Sequence, residues 1–197
     1  MALAVGIIAA TAGAEIIGGV EFPYGAQSFA DAVISYTPGT SVGTNYDDPG
    51  TALGVPDYSG VGTYVSLGNN GALVLEFTDN LIADQDAVEG GRDLYIFEIG
   101  GQVEAFQVEI SKDLLSWIDL GTVSGQPTGI DIKPFVNPGD LFRYVRLTDA
   151  GEGRSGYPYA GADIDAVGAI GTVVPEPGTC LLLGTGLFGL IGLTRRR

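Results

Sequence analysis

Hydrophobic and polar residues alternate with a period of two over the middle of this chain. Every second residue of Leu73–Phe77 is apolar, and Phe106–Ile110 alternates in the same way. Because residues two apart in a β-strand share a face, these segments predict strands that bury one face. Six further runs rich in Val, Ile, Phe, Tyr and Leu are predicted strands: Ala32–Tyr36, Thr63–Leu67, Asp93–Ile99, Ser116–Leu120, Phe142–Thr148 and Ile164–Ile170.

The segments between these runs are typical of turns, and none has a helical period. The chain contains 32 glycines and 10 prolines, which break strands and favour turns. About eight antiparallel strands without intervening helices predict an all-β fold, an antiparallel two-sheet sandwich of the jelly-roll type. The single tryptophan, Trp117, lies on a predicted strand, and we expect it to anchor the core.

A different apolar pattern occupies the C-terminal end. Thr179–Thr194 carries no charge and is followed by Arg195, Arg196 and Arg197. At ~1.5 Å per residue a helix of this length is roughly 24 Å long, slightly short of a ~30 Å hydrocarbon core. The segment predicts a transmembrane helix with the arginines on the cytoplasmic side and the preceding domain outside. A buried C-terminal helix is the alternative, and the charges directly after the run argue against it.

A short motif, Pro175, Glu176 and Pro177, precedes the hydrophobic segment. The order of Pro-Glu-Pro motif, hydrophobic run and terminal arginines resembles the PEP-CTERM sorting signal of Gram-negative bacteria. This resemblance implies that an exosortase recognises residues 174–197 and processes them at the cell envelope. The membrane anchor would then be transient.

The N-terminal end fits the same export route. Met1–Ala14 is small and apolar and ends in an Ala-x-Ala-like sequence, which predicts a signal peptide. The first basic residue is Arg92, so the basic start of such a peptide is missing, and we expect either a true start further upstream or a truncated segment. A buried first strand is the alternative. Residues 15–173 then form one domain, long enough for a sizeable core.

Charge restricts the partners of this domain. The chain has 24 acidic and 9 basic residues and a formal net charge of −15. Such a surface repels nucleic acid and favours cations and neutral ligands, so we expect no nucleic-acid partner. The chain has no histidine, which excludes Ser-His-Asp triads, Cys-His pairs and His-ligated zinc sites.

The middle of the chain also carries a loose family pattern. It runs through Ala52–Asp57, Val65–Gly68, Asp93–Glu98, Tyr144–Asp149 and Gly161–Val167. The pattern resembles a group of bacterial secreted β-sandwich domains often carried by PEP-CTERM proteins, similar in outline to galactose-binding-like, discoidin-type jelly rolls. This resemblance implies a secreted binding or adhesive module with a structural calcium and no enzymatic activity.

Acidic residues cluster in one predicted loop and on one predicted strand. The loop set is Asp79, Asn80, Asp84, Asp86 and Asp93, and the strand set is Asp163 and Asp165. Calcium takes about 6–8 oxygen ligands from carboxylates, carbonyls and water, which the loop set can supply. In the strand set both side chains should project from the face opposite Ile164, which we expect to be solvent or a cation site. A solvated acidic surface is the alternative for both clusters.

Four tyrosines in predicted loops are candidate ligand contacts: Tyr46, Tyr58, Tyr157 and Tyr159. Their rings and hydroxyl groups can stack on and hydrogen-bond to a polysaccharide, and ordinary loop packing is the alternative. We therefore expect an exported, cell-surface or extracellular-matrix protein with a non-catalytic binding or adhesive function. A glycan hydrolase that uses paired carboxylates, and a structural matrix protein without a discrete ligand, are the other interpretations.

Processing of the tail can be tested by mass. We expect mature, envelope-associated chains to end near Pro175–Pro177, because the three-part tail is a processing signal. Intact-mass spectrometry of the envelope fraction checks this. A variant with Pro175, Glu176 and Pro177 all changed to Ala is the matched control and should keep its full tail. The prediction is wrong if most mature wild-type chains still end in Arg197.

Overall fold

The computed structural model describes residues 13–84, 91–151 and 156–173. Within these ranges the regular structure consists of antiparallel strands and two short 3-10 turns, at Gly25–Ser28 and Pro49–Ala52. The strands in chain order are β1 (Glu15–Ile17), β2 (Val20–Phe22), β3 (Ala32–Thr37), β4 (Val65–Ser66), β5 (Ala72–Glu76), β6 (Leu81–Ala83), β7 (Leu94–Glu98), β8 (Phe106–Ser111), β9 (Trp117–Val123), β10 (Thr128–Ile130), β11 (Leu141–Phe142), β12 (Tyr144–Asp149), β13 (Asp163–Ala169) and β14 (Thr172–Val173). The predicted all-β class is confirmed.

Two sheets supply most of the core. One sheet has five strands in the order β3-β5-β12-β8-β9, and the other has four in the order β10-β7-β13-β4. Leu75, Ile110 and Val145 of the first sheet and Ile96 and Val167 of the second are fully buried in one hydrophobic cluster. Burial of this apolar surface is the main favourable term in folding. The result is a β-sandwich-like arrangement.

The period-two pattern located the longer strands well. In β8, Phe106, Val108 and Ile110 are buried while Gln107 and Glu109 are partly exposed, as the alternation predicts. The other predicted runs each contain a strand whose ends differ from the prediction by at most three residues. The short strands β1, β2, β6, β10 and β14 were not predicted, because segments of two or three residues carry no detectable period.

A hairpin covers the outer face of the four-stranded sheet. β1 pairs with β2, and Phe22 and Phe29 lie fully buried against Phe97 and Ala166 in a second hydrophobic cluster. The ring centroids of Phe22 and Phe29 are 4.5 Å apart. Because the main core covers one face of β13 and this cluster covers the other, every residue of Asp163–Ala169 is buried.

Trp117 does not anchor the core, and that expectation is wrong. Its ring lies partly exposed on the outer face of the five-stranded sheet, with the Arg146 guanidinium 4.2 Å from the ring centroid. Arg146 also donates two hydrogen bonds to Glu109, at 2.5 and 2.6 Å. A cation over an aromatic face and a bidentate carboxylate both stabilise this arrangement. Leu120 instead supplies the buried core contact of β9.

The two ends of the chain are only partly covered by the structure. No helix in residues 13–84, 91–151 or 156–173 is long and apolar enough to cross a membrane. The predicted transmembrane helix at Thr179–Thr194 lies outside the described residues, and so do the Pro-Glu-Pro motif, the terminal arginines and residues 1–12 of the predicted signal peptide.

Candidate functional site

A cleft of about 490 Å³ opens where β7 ends and β13 begins. The loop before β4 contributes Tyr58 and Tyr64, and the loop before β13 contributes Tyr159. Glu104 and Asp163 add two carboxyl groups, and residues 100–102 and Gly156 complete the lining. A concave surface of this volume with a few polar groups is typical of small-ligand sites.

The tyrosines form a connected wall. The ring centroids of Tyr58 and Tyr64 are 5.7 Å apart, those of Tyr64 and Tyr46 are 5.3 Å apart, and those of Tyr46 and Tyr159 are 5.6 Å apart. Tyr46 is buried behind the other rings, so it supports the wall and does not line the cleft. Tyr157 is 74% exposed and lines no part of the cleft. The structure thus unites three of the four predicted tyrosines and adds Tyr64.

Backbone hydrogen bonds hold this wall in place. Gly43 N donates to Pro158 O at 2.7 Å, and Tyr46 N donates to Gly43 O at 2.9 Å. A Cβ at Gly43 would lie 2.5 Å from Pro158 Cβ, so only glycine allows the two segments to approach this closely. The loop that carries Tyr159 is therefore fixed against the segment that carries Tyr46.

Asp163 places a buried carboxyl group at the base of the cleft. It is 6% exposed, and Ser66 Oγ donates a hydrogen bond to its Oδ1. A Cβ added at Gly100 would lie 3.6 Å from Asp163 Oδ2, so the second oxygen borders the Gly100 loop. Burial raises the pKa of Asp163 to about 7, the Ser66 hydrogen bond lowers it, and Glu104 raises it. Near neutral pH this group can donate or accept a hydrogen bond.

Glu98 is a second buried acid, at the end of β7. It is 2% exposed, and neither carboxyl oxygen makes a hydrogen bond of normal geometry within the described residues. Burial raises its pKa to about 8, the Gln126 side chain lowers it, and the charges of Asp163 and Glu104 raise it. Glu98 is therefore mostly protonated at neutral pH and lies in the same negative field as the cleft carboxyls.

Asp165 supports the loop that carries Tyr58. It is 2% exposed, and its Oδ2 accepts a hydrogen bond of 3.4 Å from Tyr58 N. Burial raises the pKa of Asp165 to about 6, whereas the backbone N–H groups of Tyr58 and Asp57 lower it. Protonation of this carboxyl group would weaken the contact that positions the Tyr58 loop.

Asp163 and Asp165 are both buried, so the expectation that their face is solvent is wrong, and the alternative of a cation site stays a prediction. The hairpin cluster covers the outer face of β13, and a β-bulge falls between Ile164 and Ala166. A bulge inserts an extra residue and re-aims its side chain. The two carboxyl groups consequently have different partners, Ser66 for Asp163 and Tyr58 N for Asp165.

The predicted calcium ligands of the loop set do not surround one point. Asp79 is an exposed residue. Partial loss of water around its carboxyl group and then the charge of Asp31 raise its pKa. Asn80 is fully buried, and neither side-chain atom has a hydrogen-bond partner in the described residues. Asn80 and Asp84 flank β6, so their Cα atoms are about 13 Å apart, too far to share one ion. Asp86 lies outside the described residues.

Two members of the loop set, Asp84 and Asp93, remain candidate cation ligands. A Cβ at Gly171 would overlap both the Ala83 carbonyl oxygen and Asp93 Oδ1, so the Asp93 carboxyl lies next to the residue before Asp84. Asp84 Oδ1 is buried without a hydrogen-bond partner in the described ranges. Carboxylate and carbonyl oxygens are calcium ligands. No group of three or more His, Cys, Asp or Glu residues among the described ones has metal-binding geometry, so calcium stays a prediction, narrowed to Asp84 and Asp93.

Sequence reasoning missed Tyr64, Glu98 and Glu104. Tyr64 was placed inside a predicted strand, and its ring reaches the cleft because the strand itself is short. Glu98 did carry a signal, since it follows Leu94 and Ile96 at the core-facing positions of its strand. An acidic residue at such a position is rarely buried without a specific role or partner.

The buried acids predict how stability depends on pH. The pKa values of Glu98, Asp163 and Asp165 lie above their ordinary values of 4.5, 3.8 and 3.8, so the folded state holds more protons than the unfolded state. Their stabilisation is complete below about pH 4 and is lost as the pH rises through about 8. We expect the melting temperature, measured with a chelator present, to fall between pH 5 and 9.

Glu98→Gln tests which group is responsible. It should flatten this fall, because the amide cannot ionise, whereas Glu21→Gln at an exposed position of β2 should not. A melting temperature that does not change with pH, or equal effects of the two variants, would contradict the assignment to buried acids.

The narrowed calcium site predicts a specific thermal shift. Calcium at 100 times its Kd should add ~2.7 kcal/mol and raise the melting temperature by several degrees. Asp84→Asn should reduce the shift, and Glu21→Gln, which removes the same charge, should not. Magnesium at matched ionic strength controls for general screening of the acidic surface. Equal shifts with the two ions would remove calcium from consideration.

Comparison with known proteins identifies the C-terminal segment. Residues 173–197 match the PEP-CTERM protein-sorting motif, which confirms that prediction. The C-terminal domain of a chitobiase from Bacteroides fragilis is 16% identical, with a TM-score of 0.47 over 76% of this chain and 97% of that one. No curated protein matches the sequence. The chain carries the sorting signal of an exported, envelope-associated protein that is processed by an exosortase.

Proposed function

We propose that this exported protein binds polysaccharide at the cell surface or in the extracellular matrix, without cleaving it. The observation that carries the proposal is the cleft in which Tyr58, Tyr64 and Tyr159 lie beside the carboxyl groups of Asp163 and Glu104. The match to a sorting signal supports the location, because it directs the domain before Val173 to the envelope.

The cleft has the chemistry that a sugar needs. A pyranose ring presents C–H groups on its faces and hydroxyl groups at its edges. Tyrosine rings pack against the apolar faces, and carboxyl groups exchange hydrogen bonds with the hydroxyl groups. Asp163 is effective in this role, since a hydrogen bond to a poorly solvated group is stronger than one in water.

Calcium has a structural place in this proposal. Asp84 and Asp93 lie near Gly171, next to β14, whereas the cleft lies where β13 begins. A bound ion there would stabilise the fold without contacting the sugar. Membership of the galactose-binding-like group stays a prediction from the sequence pattern.

A glycan hydrolase is the second candidate function. The raised pKa values of Glu98, about 8, and Asp163, about 7, are of the kind that a general acid requires. A glycosidase needs a second carboxylate ~5–9.5 Å away across the sugar. Glu98 is 2% exposed and does not line the cleft, so a hydrolase would have to use the two carboxyl groups that do line it, Asp163 and Glu104. The tyrosine wall is the feature that supports binding, and release of reducing sugar distinguishes the two functions.

Tyrosine variants test the binding proposal. A glycan array with the purified mature protein identifies a ligand, and calorimetry then gives its Kd. Tyr58→Ala and Tyr159→Ala should each weaken binding by about tenfold, because each removes a ring from the cleft. Tyr157→Ala is the matched control, since Tyr157 is exposed outside the cleft, and should leave the Kd unchanged.

Three outcomes distinguish the interpretations. Release of reducing sugar from the bound glycan would replace the binding proposal with the hydrolase. Absence of binding to any glycan would favour a structural matrix protein without a discrete ligand. Equal losses in Tyr157→Ala and Tyr159→Ala would move the binding site away from the cleft.

A further inference from the structure

We propose that the cleft selects sugars that carry a positively charged ammonium group over neutral and acidic sugars. The inference rests on the proposed function and names the ligand class of the same site. It is carried by two features of the cleft, the angles between its tyrosine rings and the burial of its carboxyl groups.

The rings are arranged as a corner and not as a flat platform. Of the rings that line the cleft, Tyr58 and Tyr64 are inclined to each other by 59°, so they do not form one flat surface. A flat sugar face is best matched by one open ring, whereas two inclined rings can contact a compact group from two sides. The faces of aromatic rings carry negative potential and attract a cation within ~6 Å of the centroid. The corner therefore suits a compact ammonium group.

Two buried carboxyl groups that line the cleft provide the opposite charge. Asp163 is 6% exposed and Glu104 is 7% exposed. Removing a carboxylate from water is costly unless a cation or hydrogen-bond donors replace the lost hydration. A ligand ammonium group supplies the cation, and it stabilises the ionised form of Asp163.

The same field disfavours acidic sugars. The described residues that line the cleft include carboxyl groups and tyrosines and no lysine or arginine. A uronate would bring another negative charge next to Asp163 and Glu104, and this repulsion is little screened in a site with limited solvent access. A neutral N-acetylated sugar avoids the repulsion but gains no attraction. The expected order of affinity is cationic, then neutral, then acidic.

Three oligosaccharides of equal length test this order at pH 8 and 0.15 M salt. They are an N,N,N-trimethylglucosamine oligomer, whose charge does not titrate, an N-acetylglucosamine oligomer and a glucuronate oligomer. Calorimetry with the purified mature protein should give a Kd for the cationic oligomer at least tenfold below that for the neutral one. The glucuronate oligomer should bind most weakly.

Two variants localise the preference. Asp163→Asn keeps the side-chain shape and removes the charge, so the cationic preference should fall to about twofold while the neutral oligomer keeps its affinity. Glu21→Gln removes the same charge on the exposed hairpin and should change nothing. Tyr58→Leu keeps apolar bulk in an exposed loop and removes the aromatic face, so it should also reduce the preference if Asp163→Asn does not fold.

The results separate this inference from the proposed function. If the neutral oligomer binds as tightly as the cationic one, the inference is overturned and the glycan-binding function stands. If none of the three binds and the glycan array is also blank, the proposed function fails. The inference is also overturned if the Asp163→Asn variant keeps the same cationic preference as the Glu21→Gln control. A preference that is unchanged in Tyr58→Leu would have the same meaning, because the cation would then bind elsewhere on the acidic surface.

Discussion

The structure depends on the burial of β13 from both sides. One face of this strand contributes Ile164 and Val167 to the main core, and the other packs Ala166 beneath the phenylalanines of the N-terminal hairpin. Every residue of this strand is buried, including its two aspartates, which pack against Ser66 and the Tyr58 loop. The aspartates are therefore held in surroundings of low polarity, and the chemistry of the cleft follows from this.

Loss of water on burial explains why the carboxyl groups with strongly raised pKa values lie in one region of this acidic protein. Most of its carboxylates lie on the surface, where water and salt screen them. Asp163 and Glu98 are instead buried, and proton binding is the simplest way to reduce their charge. The cleft is thus the part of the described chain where ligand charge should matter most. Exposed ion pairs such as Lys112–Asp140 contribute little by comparison.

Sequence periodicity predicted the longer strands because every second residue of such a strand must be apolar to pack in the core. The alternation in β8 and the apolar runs of β7 and β13 identified their positions to within a few residues. It could not show that Ser66 and the Tyr58 loop cover the two aspartates of β13, because such contacts join distant segments with no shared period. The expectation that Asp163 and Asp165 face solvent failed for this reason, and the alternative of a cation site stays a prediction. The prediction that Trp117 anchors the core failed for a different reason. Contact with the Arg146 guanidinium stabilises the Trp117 ring on the outer face of the sheet.

The tyrosines of the candidate site were predicted in part from the sequence. Their arrangement in space, which decides which of them line the cleft, could not be predicted. Loop position alone indicated Tyr58 and Tyr159, whereas only packing distinguishes the buried Tyr46 from the outlying Tyr157. Glu98 was detectable as an acid at a core-facing position of a strand. The residues around β6 show where sequence reasoning fails. Asn80 and Asp84 are close in sequence and were predicted to bind one ion, but the strand between them separates them.

The path of the chain after the cleft also determines how far the cleft lies from the start of the C-terminal segment. β13 begins at the cleft with Asp163 and runs for seven residues, about 23 Å, before the chain turns into β14 and reaches Val173. The sorting segment continues from that far end. An attachment through the residues after Val173 would therefore start one strand length away from the cleft. A long polymer could enter the cleft without meeting the start of that attachment.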